Sequence, residues 1–426
     1  MREPEAMTRT DPQPPEEQPG GSPSTAAGPA ASDDPGVGGP IVIVGGGFGG
    51  LYTALALSQQ RRHPPLLLIE PQDCFLFLPL LYELLSDELR RWEIAPRYDA
   101  LLAGLGVAWL QDRVVEIDAA QRLLHTAGGR QLHFGQLVLA TGARMHSFGI
   151  PGVVEHCLGF RSLADVERLQ TLVRHLRLQR RPLQRLAVVG AGPSGVELSC
   201  KLADLLDGAA VVELIEQGPM ALPQARAFNR EQALLALQRR DVRLRCGCRV
   251  LEVGADHLDL HTASGAERLA VEAVVWTAGL DFAPPAIRPQ PERDPRGRLL
   301  VDAELRLQGH SHLFALGDIA AVDGDRDGSE TSSPLPATAQ VAFQQATCLA
   351  DNLLRARRGE PLVRFRFQDL GEMISLGKGE ASLVGGGFTL AGPAAFQLRR
   401  LAYLSRLPGR SHQLRVAAGW LADWQP

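Results

Sequence analysis

The chain has 426 residues, 45% of them hydrophobic and 22% charged, with a formal net charge of −4. That composition belongs to a globular protein of two or three domains. No run of eighteen apolar residues is present, which excludes a membrane-spanning helix, and the near-neutral charge argues against a nucleic-acid partner held by counterion release. The six cysteines show no Cys-x-x-Cys spacing, so neither a metal site nor a redox dithiol is expected, and the compartment reads as reducing and cytoplasmic. Cys246-Gly247-Cys248 reads as two small residues in a strand. Only Lys201 and Lys378 among the 44 basic residues are lysines.

Residues 1–40 contain nine prolines and carry seven acids against two arginines. Such a segment buries too little apolar surface to offset its ordering entropy and is expected to be disordered. Its lack of an apolar core region argues against a secretory signal. Ile41-Val42-Ile43-Val44 then reads as a strand buried on both faces of a parallel sheet. It runs into Gly45-Gly46-Gly47-Phe48-Gly49-Gly50, a helical stretch through Ser58, and a second apolar strand, 66–69, ending at Glu70.

The same unit returns downstream. Leu186–Val189 leads into Gly190-Ala191-Gly192-Pro193-Ser194-Gly195, a helix, and a strand ending at Glu216. The glycines of the two loops are 145 residues apart and the acids 146. Leu137–Ala140 followed by Thr141-Gly142 is echoed by Val274–Trp276 followed by Thr277-Ala278-Gly279. In this pattern the first glycine (Gly45, Gly190) makes the tight turn. The second (Gly47, Gly192) admits a pyrophosphate, and the third (Gly50, Gly195) lets helix pack on strand. Glu70 and Glu216 are expected to accept hydrogen bonds from ribose hydroxyls. Two such units in one chain predict two bound dinucleotides. Glu216 disfavours a 2′-phosphate and Gln217 supplies no cation, so the second site is expected to prefer NADH while tolerating NADPH.

Leu313–Leu316 followed by Gly317-Asp318 is a short strand ending in an acid suited to a polyol chain such as the ribityl of FAD. With Thr141-Gly142, this arrangement resembles flavoproteins with two dinucleotide-binding domains. The resemblance implies an α/β fold of two Rossmann-like domains, the second inserted in the first, with a C-terminal membrane-associating segment. FAD would lie in residues 41–155 and 284–355, NAD(P)H in 156–283, and the C-terminal strands and amphipathic helices in 356–426. Gly142, Gly279 and Ala339 join the cofactor-binding set on the same basis.

No cysteine pair suits disulfide reduction, although Cys157 and Cys348 are available to a sulfide:quinone chemistry. Phe75–Tyr82 offers an apolar approach to the ring. Gln340 and Gln344 lie one turn apart on a helix opening near Pro336, either as amide donors to a quinone carbonyl or as solvated polar residues. Glu197 stands in the first turn after the second loop, where the helix dipole alone favours an acid. Gly192-Pro193-Ser194-Gly195-Val196-Glu197 and Ala339-Gln340-Val341-Ala342-Phe343-Gln344-Gln345 resemble motifs of the type II NAD(P)H dehydrogenases, NAD(P)H:quinone oxidoreductases that carry FAD. By that resemblance Glu197 lies where nicotinamide meets flavin, and Gln340 and Gln344 lie on the flavin and quinone side. Lys378, in a glycine turn, is either a cation beside the flavin or a surface charge. The run 81–88, with Trp92–Pro96, resembles the cyanobacterial and plant branch that reduces demethylphylloquinone in phylloquinone biosynthesis. A respiratory dehydrogenase reducing plastoquinone and a soluble flavin reductase or redox sensor are the alternatives.

From Phe396 onward five arginines face one aspartate. Leu414, Ala417, Ala418, Leu421 and Trp424 form a helical apolar stripe, and Leu398, Leu401 and Leu404 form a shorter one. The stripe suits an anionic membrane surface, the protein's own core or a second copy in a homodimer. The resemblance favours the membrane, with a naphthoquinone or plastoquinone as acceptor on the inner or thylakoid membrane.

Overall fold

The computed structural model describes residues 38–179, 181–322 and 335–422. Most of the acidic tail, together with Asp423 and Trp424, therefore lies outside the described residues. The strand Ile41–Val44 is buried along its whole length, as a parallel strand covered on both faces must be. It pairs on one side with Leu66–Ile69 and on the other with Gln136–Leu139. Val107–Leu110 and Leu313–Ala315 complete a five-stranded parallel sheet, the last strand beside Gln136–Leu139.

A second parallel sheet repeats this plan. Arg185–Val189 pairs with Val211–Ile215 and with Ala273–Trp276, and Arg243–Arg245 and Cys157–Leu158 form its edges. The chain thus leaves the first sheet after Leu139, builds the second, and rejoins the first at Leu313. Each half also carries a small antiparallel meander. Val114–Asp118, Leu123–Thr126 and Gln131–His133 make the first, and Arg249–Val253, His257–Thr262 and Gly265–Ala270 the second. Cys246 and Cys248 do not lie in a strand. They flank Gly247, whose φ of +68° turns the chain between Arg245 and Arg249.

The helix Ala339–Arg358 packs along Phe48–Ser58. A three-stranded antiparallel sheet (Glu372–Ser375, Ala381–Gly385, Phe388–Gly392) follows, then the helices Pro393–Leu404 and Arg410–Ala422. Among the described residues no helix is long and apolar enough to cross a membrane.

The last helix settles which way its stripe points. Val416 is buried, and Trp420 donates its indole N–H to Glu93 Oε1 at 2.6 Å. His412 bonds the Glu93 carbonyl at 2.9 Å. Arg400 stacks on Trp420 at 4.3 Å from the ring centroid, and Arg415 on Trp92 at 4.8 Å. The apolar stripe is on the other side: Leu414 is 72% exposed and Leu421 68%, with Leu401 and Leu398 exposed on the preceding helix. Among the described residues Leu414, Ala418 and Leu421 turn away from the core, whereas Leu404 of the shorter stripe packs against it.

Candidate functional site

Parallel strands end at one edge of their sheet, and the loops that follow them gather there. Gly45, Gly47, Gly50, Glu70, Thr141, Gly142 and Asp318 all follow strands of the first sheet in this way. Gly190, Gly192, Gly195, Glu216 and Gly279 do so on the second. Gly45 and Gly190 each have φ near +100°, a conformation open to glycine. A Cβ on Gly50 would sit 1.8 Å from the Gly45 carbonyl oxygen, and one on Gly195 1.8 Å from that of Gly190. These third glycines let each helix close on its strand.

The second glycines behave differently. A Cβ on Gly47 or Gly192 would meet nothing within 4 Å, and both residues are helix N-caps without a side-chain cap. Each helix therefore presents unpaired N–H groups and the positive end of its dipole to open space, the environment a pyrophosphate requires. The acids match as well. Glu70 accepts the N–H of Gly46 at 2.7 Å and of Gln72 at 2.9 Å. Glu216 accepts those of Ala191 and Gly218, both at 2.7 Å. One N–H per oxygen leaves further lone pairs for ribose hydroxyls. The residues present fit two dinucleotides.

Gly317, at φ +74°, donates its N–H to Gln345 Oε1 at 2.7 Å, which fixes the turn bearing Asp318. Burial pushes the Asp318 carboxyl up, and Arg161 and Arg298 oppose the shift. Thr338 caps the helix that begins at Ala339 by accepting the Val341 N–H at 3.3 Å. Gln340 and Gln344 are half-buried on one face of that helix. Gln344 is not a solvated amide: its Nε2 donates to the Gln368 carbonyl at 2.8 Å, and its Oε1 accepts the Gln368 N–H at 3.0 Å. It clips the 360s segment in place with one of its two amide N–H groups, so Gln340 and Gln344 both keep a donor for an acceptor.

Glu197 is buried at the start of the helix Pro193–Leu206 and accepts the Ser375 N–H at 2.7 Å. Burial raises its carboxyl to about 7, against the lowering effect of Arg399 and the Ser375 N–H; Glu83 adds to the rise and Tyr82 opposes it. Tyr82 also bonds Ser194, and burial lifts its phenol well above the ordinary range. Thus Tyr82, from the run that resembles the demethylphylloquinone branch, meets Glu197 and Ser194 of the second loop's helix.

Lys378 is not part of this group. It is exposed, in a turn whose backbone is held from below: Asp204 accepts the Lys378 N–H at 2.6 Å and Glu88 the Gly379 N–H at 3.1 Å. Among the described residues three cations are buried instead: Arg298, paired with Asp294, and two on the helices around Glu197. Lys201 is fully buried and pairs with Glu88, which also takes the Ser86 hydroxyl. Arg399, one of the five arginines from Phe396 onward, is buried in an ion pair with Glu83. Neither was distinguishable from a surface charge in the sequence, because each partner lies more than a hundred residues away. The one available signal for Lys201 is its i+4 spacing from Glu197 on the same helix face.

All six cysteines are free. Burial raises the thiols of Cys157 to about 12 and of Cys348 to about 11, which leaves little thiolate for a sulfide chemistry.

Residues 39–346 match the family model of pyridine nucleotide-disulphide oxidoreductases. Among curated proteins, demethylphylloquinone reductase NdbB of Synechocystis sp. is 39% identical over 387 residues, covering 88% of this chain and 94% of that protein. The chloroplastic/mitochondrial alternative NAD(P)H-ubiquinone oxidoreductase C1 of Arabidopsis thaliana is 36% identical, covering 87% and 78%. The solved structure of NDH2 from Plasmodium falciparum in complex with NADH superposes with a TM-score of 0.79 over 90% of this chain and 98% of that one. Its identity to this chain is 17%, so it speaks for the fold. The chain belongs to the pyridine nucleotide-disulphide oxidoreductases, and among them to the type II NAD(P)H dehydrogenase family.

Proposed function

We propose that this chain is an FAD-dependent NAD(P)H:quinone oxidoreductase whose acceptor is a membrane naphthoquinone, demethylphylloquinone, on the path to phylloquinone. The observation that carries the reading is its 39% identity to a demethylphylloquinone reductase across 94% of that protein, joined to two open, uncapped glycine loops. Residues 41–155 and 284–355 would hold FAD through Gly45, Gly47, Gly50, Glu70, Thr141, Gly142, Asp318 and Ala339. Residues 156–283 would hold NAD(P)H through Gly190, Gly192, Gly195, Glu216 and Gly279. Flavin, when bound, supplies the hydride-accepting and electron-passing chemistry. The chain's own residues orient the partners and move protons. Glu197, with a proton affinity poised near neutrality, is suited to exchange a proton where the two halves meet. Gln340 is suited to donate to a quinone carbonyl. Glu216 favours NADH over NADPH.

The exposed Leu398, Leu401, Leu414 and Leu421, with the exposed Arg410 at the start of the last helix, support seating on an anionic bilayer of the inner or thylakoid membrane from its cytoplasmic side. Residues 356–426 would form that surface. A second reading, a respiratory dehydrogenase using a benzoquinone such as plastoquinone, draws on the plant relative's name. NADH oxidation by purified holoprotein, followed with demethylated naphthoquinone, plastoquinone and ubiquinone analogues, separates the two. Preference for the naphthoquinone is expected, preference for a benzoquinone favours the second reading, and indifference to every quinone overturns both.

A further inference from the structure

Arg399 is 1% exposed and its partner Glu83 0%, although 316 residues separate them. The guanidinium comes from the helix Pro393–Leu404, whose other face carries the exposed Leu398 and Leu401. Nη1 donates to Glu83, and Nη2 donates to the Pro79 carbonyl at 2.6 Å. The charge lies 4.8 Å from the Tyr403 ring centroid. Tyr403 in turn meets Phe77 edge-on at 5.5 Å, and Phe77 meets Phe48, the first residue of the first loop's helix, at 5.1 Å.

Such a pair is a poor way to gain stability. A buried ion pair is often matched or bettered by apolar side chains of the same volume, and this one leaves Glu83 Oε2 and Arg399 Nε buried without partners. Glu83 belongs to the helix Leu81–Leu85, which packs on the helix that carries Glu197; burial raises the Glu197 carboxyl, Arg399 opposes that rise as an opposite charge, and Glu83 adds to it as a like one. Every element packed on Glu197 contributes. The helix Leu81–Leu85 brings Tyr82 and Glu83, Pro393–Leu404 brings Arg399 and Tyr403, and the strand Glu372–Ser375 brings the Ser375 N–H. Its own helix brings Ser194 and Cys200, and Lys201 one turn on is already neutralised by Glu88. Arg399 is therefore the cation that offsets burial at Glu197.

We propose that Arg399, anchored by Glu83, is the positioning residue that sets the charge state of Glu197. The inference deepens the reading of Glu197 as the proton-exchanging group between the two halves, and rests on it. It also ties that group to the C-terminal segment, because the helix that presents the exposed leucines supplies the controlling charge.

Infrared titration of the holoprotein tests it directly. The stretch of the protonated Glu197 carboxyl, assigned by its loss in Glu197→Gln, should titrate near pH 7 in the wild type. Arg399→Met should move that midpoint up by roughly one to three pH units, the range for losing a close opposite charge. Glu83→Gln should move it down, by less. An unchanged midpoint in Arg399→Met, or both variants shifting the same way, overturns the proposal. Where Arg399→Met fails to fold, the neutral double variant Arg399→Met with Glu83→Gln decides: a midpoint above the wild type supports the proposal, and one at or below it overturns it. The pH profile of kcat with a naphthoquinone separates the two layers. A profile that follows the infrared midpoint supports both. A midpoint that moves as expected while kcat does not follow leaves Arg399 in its role and overturns that of Glu197.

Discussion

The helices that follow the two glycine loops begin alike and diverge within a turn. Both open at an uncapped glycine, both touch their strand through a glycine that excludes any Cβ, and both are tied to an acid at the end of the next strand. Two residues past the third glycine, however, the first half has Tyr52 and the second Glu197. Tyr52 donates its hydroxyl to the Arg406 carbonyl, and Glu197 accepts the Ser375 N–H. The same position of a duplicated helix thus grips the C-terminal segment twice, once with a donor in aromatic surroundings and once with an acceptor. Around Tyr52 lie Phe48, Phe75 and Phe343. Beyond Glu197, Lys201 and Asp204 continue the grip through Glu88 and the Lys378 N–H. Duplication supplied one scaffold, and side chains one turn beyond the loop made one half apolar and the other titratable.

The third glycines offer the harshest test of that symmetry. Gly50→Ala and Gly195→Ala each drive a methyl into a backbone carbonyl, an overpacking worth about 1–3 kcal/mol, or roughly five- to 150-fold in an equilibrium constant. Gly50→Ala should purify depleted of yellow flavin. Gly195→Ala should keep its flavin absorbance and lose bleaching by NADH. Loss of flavin from both would break the assignment of one dinucleotide to each half.

Next in size is the nucleotide preference. Glu216→Ser combined with Gln217→Arg removes an anion and adds a cation where a 2′-phosphate would sit, and should shift the NADPH/NADH ratio of kcat/KM at least about tenfold upward, the factor that about 1.4 kcal/mol provides. Glu70→Ser in the first half should leave that ratio untouched. A change caused by Glu70→Ser would reverse the two roles.

The two grips should differ in their response to pH. Glu197 keeps its proton in the folded protein up to about pH 7, whereas an unfolded glutamate loses it near 4.3. The folded state then binds more protons across that window, so this group makes stability fall as pH rises from about 4.3 through 7. Thermal melts at intervals across the window should show that decline in the wild type and a shallower one in Glu197→Gln. Tyr52→Phe should cost a pH-independent ~1 kcal/mol for one hydrogen bond. Parallel curves for the wild type and Glu197→Gln would contradict the burial argument.

The smallest effect on stability is expected at the outward face. Leu414→Ser with Leu421→Ser touches no packed surface and should change stability within about ±0.5 kcal/mol, while lowering co-sedimentation with anionic vesicles. Unchanged vesicle binding would leave the face to another partner.

What was legible in the sequence was what repeats or is local. Continuous apolar runs marked the parallel strands, and the glycine spacing marked both loops, because backbone sterics alone demand those residues there. Polar contacts between distant segments were not legible. Arg399 counted as one of five C-terminal arginines, Lys378 drew attention as a lysine in a glycine turn, and Gln344 read either as a donor to a quinone or as a solvated amide. Each is decided by a partner brought close only by the fold: Glu83 for Arg399, Asp204 and Glu88 beneath the Lys378 turn, and the Gln368 backbone for Gln344. Periodicity likewise predicted the last helix without its orientation, since Trp420 and His412, bonded to Glu93, hold the inner face.

The division of labour between the halves is tested most directly by rapid mixing of the flavin-loaded protein. One equivalent of NADH should bleach the flavin, and a demethylated naphthoquinone added next should restore its colour at a rate that accounts for turnover. Glu197→Gln should still bind NADH while slowing the cycle. Flavin that NADH does not bleach, or that stays bleached in the presence of every quinone, would contradict the account.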